Sequence, residues 1–279
     1  MRLSDTPVER HIIDGKSILV KREDLSCPPP GPCFSKMRGL FMHMLKLQRS
    51  GVTTVGYVET AISMAGWGVA WIARELGMKS VIFDPQYSGK HPARKVHESH
   101  RVKWNELEAI VIPMKPLMAK VNFNIARKML CNADETVLPL GLPLSETVVE
   151  TAKQVQYTDL SDVKTIVVCV GSGTICSGIL AGLKSNKSIS IIGVVSRRCK
   201  SMNKYKSIKQ KAGLLDGRLL DTIGFELINT NLGYIDKVDI DTPFPCNPYY
   251  DTKALKFALD NYNKLDKPIL FWNIGGGGK

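Results

Sequence analysis

Thr165-Ile166-Val167-Val168-Cys169-Val170 runs directly into Gly171-Ser172-Gly173-Thr174-Ile175-Cys176-Ser177-Gly178. The first six residues are apolar and mostly β-branched, the composition of a strand buried on both faces of a parallel sheet. The glycines permit a tight turn, and residues 175–183 read as a helix. Strand, glycine turn and helix together form a cradle for an anion. Backbone N–H groups point out of the turn, and the helix adds the positive end of its dipole. The same stretch also fits an ordinary strand-to-helix connection.

The flanking segments repeat this alternation. Ser17-Ile18-Leu19-Val20-Lys21, Thr54-Val55-Gly56-Tyr57-Val58, Lys79-Ser80-Val81-Ile82-Phe83, residues 108–112, residues 189–195 and Pro268-Ile269-Leu270-Phe271-Trp272 read as strands. Residues 36–48, 65–76, 116–130, 144–155 and 252–265 read as helices. Ser35 and Ser145 are placed to cap two of them, and Gly77 to stop one. Pro28-Pro29-Pro30-Gly31-Pro32 must be a loop. Strands alternating with helices predict an α/β fold whose parallel sheets are flanked by helices.

The chain has 279 residues, 44% of them hydrophobic, enough for one large domain or two smaller ones. No apolar run reaches bilayer length, and Met1-Arg2-Leu3-Ser4-Asp5 lacks the apolar core of a signal peptide. A cytoplasmic protein is expected. The seven cysteines show no Cys-x-x-Cys spacing, so reduced thiols are expected.

The net charge of +12 is concentrated. Lys184, Lys187, Arg197, Arg198, Lys200, Lys204, Lys206, Lys209, Lys211 and Arg218 face only Asp216. This stretch is either a solvated face or a surface for a polyanion, most naturally nucleic acid through Arg197, Arg198 and Lys200. A second basic stretch, residues 90–103, holds His91, His97 and His100. It reads as a solvated loop, because no nearby cysteines or paired carboxylates would complete a metal site.

Lys36 gives the anion cradle its chemistry. It lies in Phe34-Ser35-Lys36-Met37-Arg38-Gly39, after Val20-Lys21-Arg22-Glu23-Asp24-Leu25. A lysine amine can form a Schiff base, and the turn at Gly171, Ser172, Gly173 and Thr174 can grip a phosphate. The pair suggests a pyridoxal phosphate (PLP) site.

These motifs resemble the fold-type II PLP-dependent enzymes, the tryptophan synthase β-like family that includes threonine dehydratase, D-cysteine desulfhydrase and 1-aminocyclopropane-1-carboxylate (ACC) deaminase. Pro139-Leu140-Gly141 resembles a Pro-x-Gly of that family. Asn247-Pro248-Tyr249-Tyr250-Asp251-Thr252-Lys253-Ala254 resembles the Asp-Pro-Val-Tyr-Thr-Gly-Lys-Ala of the desulfhydrase and deaminase branch. Residues 269–276 resemble its Leu-Phe-x-His-Thr-Gly-Gly. The chain departs from the branch at Met64, where asparagine is usual, at Asn273 for histidine and at Ile274 for threonine.

The resemblance implies that Lys36 bears PLP and shuttles protons, and that Ser63 and Tyr250 contact the substrate. It implies further that Gly171, Ser172, Gly173, Thr174 and Asn273 help bind the cofactor. It implies a large PLP-binding domain from residues 1–45 and 155–279, and a smaller closing domain from 46–154. The reaction expected is that of a PLP-dependent lyase acting on an α-amino-acid group by deamination, elimination or decarboxylation. The substrate is either a small free amino acid or an amino acid attached to a modified thymidine. The second reading resembles phage DNA hypermodification and would place the protein in host cytoplasm. A non-catalytic PLP-fold regulator is a further alternative, and a homodimer is an expectation from the same resemblance.

Overall fold

The computed structural model describes residues 3, 5–183, 188–198, 201–213 and 224–276. In chain order the strands and helices are β1 (Val8–Ile13), β2 (Lys16–Arg22), α1 (Met37–Arg49), β3 (Thr54–Val58), α2 (Ala65–Glu75), β4 (Lys79–Pro85), α3 (Arg94–Glu106) and β5 (Ile110–Met114). There follow α4 (Ala119–Met129), β6 (Glu135–Val137), α5 (Ser145–Gln156), β7 (Thr165–Val170), α6 (Thr174–Leu183), β8 (Ser190–Val195), α7 (Ser201–Gly213), β9 (Phe225–Asn229), α8 (Asp251–Asp260) and β10 (Ile269–Asn273). They group into two compact units. One comprises Pro29–Pro32 and Leu40–Pro143, the other Arg2–Pro28, Cys33–Gly39 and Leu144–Lys279. Among the described residues, no helix is long and apolar enough to cross a membrane.

The second unit is built on a six-stranded sheet in the order β1-β2-β10-β7-β8-β9. Only the edge pair β1–β2 is antiparallel. Side chains alternate across a strand, which explains the unbroken apolar run of β7. Ile166, Val168 and Val170 pack with Ile175, Ile179 and Leu183 of α6 and with Ile208 and Ala212 of α7. Val167 and Cys169 face the other way, onto Ala254, Leu255, Ala258 and Leu259 of α8. Burial on both faces removes apolar area from water twice over, the main driving force for this sheet.

The first unit has a four-stranded parallel sheet, β5-β4-β3-β6. Val58, Val81, Phe83 and Met114 pack there against Ala126 of α4. The α/β class with parallel sheets and flanking helices is as the sequence predicts.

Several local expectations need correction. Residues 90–103 are not a solvated loop, because they run into α3. That helix places His97, His100 and Trp104 at i, i+3 and i+7 on one inward face. His97 and His100 are accordingly buried. His97 Nε2 lies 2.5 Å from Asp84 Oδ1, and Arg101 Nε donates to Asp84 Oδ2 at 2.7 Å. Neither serine acts as a cap. Ser35 Oγ is buried without a hydrogen-bond partner, and Ser145 already lies inside α5, donating to Glu146 at 3.1 Å. The last predicted helix is shorter than 252–265: α8 stops at Asp260, and a separate 3-10 turn covers Tyr262–Lys264. The six described cysteines are free, and Cys199 lies outside the described residues.

Candidate active site

Parallel strands that start together also end together, and their carboxyl ends are where an α/β sheet presents ligands. In the second unit that edge carries the glycine turn after β7, Ser196 and Arg197 after β8, residues 230–234 after β9, and Asn273 to Gly275 at the end of β10. Lys36, just ahead of α1, is fastened to the same edge. Ser35 N–H donates to Ile274 O at 2.7 Å, and Phe34 bridges Gly275.

The Lys36 amine donates to Ser172 Oγ at 3.2 Å, across 136 residues of chain. Ser172 Oγ in turn lies 2.9 Å from Thr174 Oγ1. The structure therefore brings together the lysine and the glycine turn that the sequence singled out. Burial, then the neighbouring charges of Lys211 and Lys204, lower the Lys36 pKa to about 8. That leaves about a tenth of the amine unprotonated at neutral pH, against well under a hundredth for an ordinary lysine. An amine of this kind can attack a carbonyl.

The two glycines of the turn differ. Gly173 has φ +86°, which L-residues avoid, and a Cβ there would come within 2.6 Å of Ile208 Cγ1. Its glycine is required by the backbone and by α7. A Cβ on Gly171 would meet nothing within 4 Å. The space in front of Gly171 is open, beside the N-terminus of α6, as a phosphate cradle requires.

Asp251, which the sequence reading passed over, is the other chemical group of this edge. It opens α8, is buried, and accepts Ile274 N–H on Oδ1 at 2.9 Å. Burial, with Asp24 adding to it, raises its pKa to about 8 against the opposing hydrogen bonds. In one dimension it reads as an ordinary acid just ahead of the helix expected over residues 252–265, and its burial leaves no mark in the sequence. Asn273 is fully buried, with Nδ2 donating to Asp24 at 3.0 Å and to Pro245 O at 2.9 Å. Its Oδ1 has no partner. Tyr250 O–H donates to Tyr234 Oη at 2.9 Å. Buried Lys253 ties Ser196 O and Gly233 O together at 2.8 and 3.0 Å.

Arg197 and Arg198 are exposed. Arg197 stands over the Tyr234 ring, 5.8 Å from its centroid. Lys200 lies outside the described residues, as do Lys184, Lys187 and Arg218. An amine of low pKa, an open cradle at a helix N-terminus and a buried acid fit the aldehyde, phosphate and ring nitrogen of PLP.

Ser63 belongs to the first unit, in the turn between β3 and α2. Its Oγ accepts Ala65 N–H at 3.0 Å. Glu59, fully buried at the end of β3, shapes this turn. It accepts Thr60 N–H at 2.8 Å and Gly66 N–H at 2.6 Å, and it also bonds the Ser63 side chain. Burial raises the Glu59 pKa to about 8 despite these bonds.

Comparison with known proteins agrees with this chemistry. The chain is 36% identical to a glycyl-dTMP PLP-dependent decarboxylase of Pseudomonas phage M6, over 99% of this chain and 100% of that one. It is 24% identical to a mitochondrial threonine dehydratase of Schizosaccharomyces pombe, covering 86% of this chain but only 40% of that longer protein. Its fold is that of an ACC deaminase homologue, with a TM-score of 0.76 at 19% identity over 98% of this chain and 90% of the other. A hydrogen sulfide-producing enzyme from Fusobacterium nucleatum has the same fold, with a TM-score of 0.68 at 18% identity over 99% and 96% of the two chains. The family described as pyridoxal-phosphate dependent enzyme matches residues 3–239. This chain belongs to that family, and as a PLP-dependent enzyme it takes pyridoxal phosphate as its cofactor.

Proposed function

We propose that the protein is a decarboxylase acting on an amino acid carried by a thymidine nucleotide. The observation that carries this reading is the 36% identity, along nearly the whole of both chains, with a phage enzyme named for that substrate class. Membership in an enzyme family speaks against the non-catalytic alternative.

Bound PLP supplies an electron sink for the carbon that loses a substituent. The chain's own groups then have separate tasks. Lys36 is the attachment point for the cofactor, and its amine, poised near pH 8, can return a proton to the carbon that has lost its carboxyl. In the net reaction the substrate would give up its carboxylate as carbon dioxide and take one proton in its place. The cradle at Gly171, Ser172, Gly173 and Thr174 orients the cofactor by its phosphate. Asp251, whose pKa burial raises to about 8, would be the group to share a proton with the ring nitrogen and so hold positive charge there. Asn273 Oδ1 is a buried acceptor at the same edge. Tyr250, held by Tyr234, is a substrate contact on this reading, and Ser63, held by Glu59, is a second. Arg197, Arg198 and Lys200 are the candidate contacts to a nucleic acid.

The test is to incubate the protein, loaded with PLP, with DNA bearing glycyl-modified thymidine, digest to nucleosides and weigh them. The modified nucleoside should lose the mass of one carbon dioxide. An unchanged nucleoside, with carbon dioxide released from free amino acids instead, would replace this reading with the free-amino-acid one.

A further inference from the structure

α7 carries Lys204, Ile208 and Lys211 at i, i+4 and i+7, a single face of the helix. That face lies on the glycine turn. Ile208 is fully buried, and its carbonyl accepts Ser177 O–H at 3.1 Å. On either side of it, Lys204 Nζ donates to Gly171 O at 2.7 Å, and Lys211 Nζ donates to Ser172 O at 2.8 Å. Two ammonium groups are thus held against the one turn whose open side is built for an anion. Burial lowers the pKa of both Lys36 and Lys211 first; beyond it, the charges of Lys211 and Lys204 lower Lys36 further, and the charge of Lys204 lowers Lys211. Like charges crowded in a half-buried place raise the free energy of the site until an anion joins them.

We propose that Lys204 and Lys211 form a cationic clamp on the turn, fixing its carbonyls and supplying charge for the cofactor's phosphate dianion. Each ammonium has three donors, so it can hold a turn carbonyl and reach a phosphate oxygen together. Two of the ten cations in the basic stretch therefore serve the cofactor rather than a nucleic acid. The inference rests on the cofactor and not on the substrate proposed above, so it stands or falls separately.

The experiment compares binding of PLP and of pyridoxal, which lacks the phosphate, to the apo-protein by absorbance titration. Lys204→Gln and Lys211→Gln should each weaken PLP binding roughly tenfold, the scale of one charge-assisted hydrogen bond. Pyridoxal binding should stay within about twofold, an error well below that effect. Lys211→Arg should retain most of the PLP affinity, and Lys206→Gln, on an exposed face of α7, all of it. Equal losses for PLP and pyridoxal would mean a purely structural role and overturn the clamp, as would no loss in either single variant. Should Lys211→Gln fail to fold, Lys204→Gln carries the same comparison.

Discussion

At the scale of single residues, the proposed chemistry rests on groups moved off their ordinary protonation. Lys36 has its pKa lowered to about 8. Capture of PLP by the apo-protein should therefore quicken about tenfold per pH unit below 8 and level off above it. Stopped-flow absorbance measures this. A rate still climbing steeply beyond pH 9, roughly the range of a solvated lysine, would contradict it. Asp251 is shifted upward, from near 4 in the unfolded chain to about 8 in the fold. Between those values the unfolded chain has lost a proton that the folded chain keeps. The stability this group contributes is full below about pH 4 and is lost as pH rises through about 8. Apo-protein melting temperature should thus fall between about pH 5 and 8, and Asp251→Asn should make that fall shallower. Glu59, shifted the same way, keeps some slope in the variant. An identical slope in both proteins would rule out the Asp251 assignment. Lys36 was legible in the sequence because its neighbours carried a pattern. Asp251 was not, because what makes it unusual is burial against Ile274 and Asp24, brought from far along the chain.

At the scale of elements, the turn between β7 and α6 separates two glycine roles. Gly171→Ala adds a methyl where no protein atom lies within 4 Å. It should fold with unchanged melting temperature yet bind PLP less tightly, because the methyl fills the cradle. Gly173→Val meets Ile208 and a left-handed backbone. It should destabilise the apo-protein by about 1–3 kcal/mol even without cofactor, by overpacking and strain. Thermal melts and PLP titrations of the two variants separate these effects, and equal behaviour would contradict the distinction. β7 and α6 could be read from the sequence because an apolar run buried on both faces leaves little choice. α7 could not. Its apolar residues are few, its lysines dominate, and only the contact of Ile208 with the turn reveals which way the helix faces. β9 and the edge strand β1 were missed for a related reason, since both are part-exposed and mix polar with apolar residues.

At the scale of the whole molecule, the charge divides between tasks. Lys204 and Lys211 lie on the glycine turn after β7, while Arg197 and Arg198 stand exposed at the same sheet edge. If Arg197 and Arg198 meet DNA, replacing both with glutamine should weaken DNA binding and reduce its salt slope by about 2, with PLP absorbance unchanged. An unaltered salt slope would return both side chains to the solvent. The parallel α/β class followed from composition and alternation alone. The site did not, because it assembles from a segment near residue 36, the turn after β7, a helix beyond residue 200 and the start of α8. The central claim is that these distant pieces make one cofactor site around Lys36. The most direct measurement is borohydride reduction of the PLP-loaded protein, followed by proteolysis and mass spectrometry of the peptides. The account predicts a single phosphopyridoxyl group, on Lys36, and none in Lys36→Ala. The same group found on another lysine, or retained in Lys36→Ala, would contradict it.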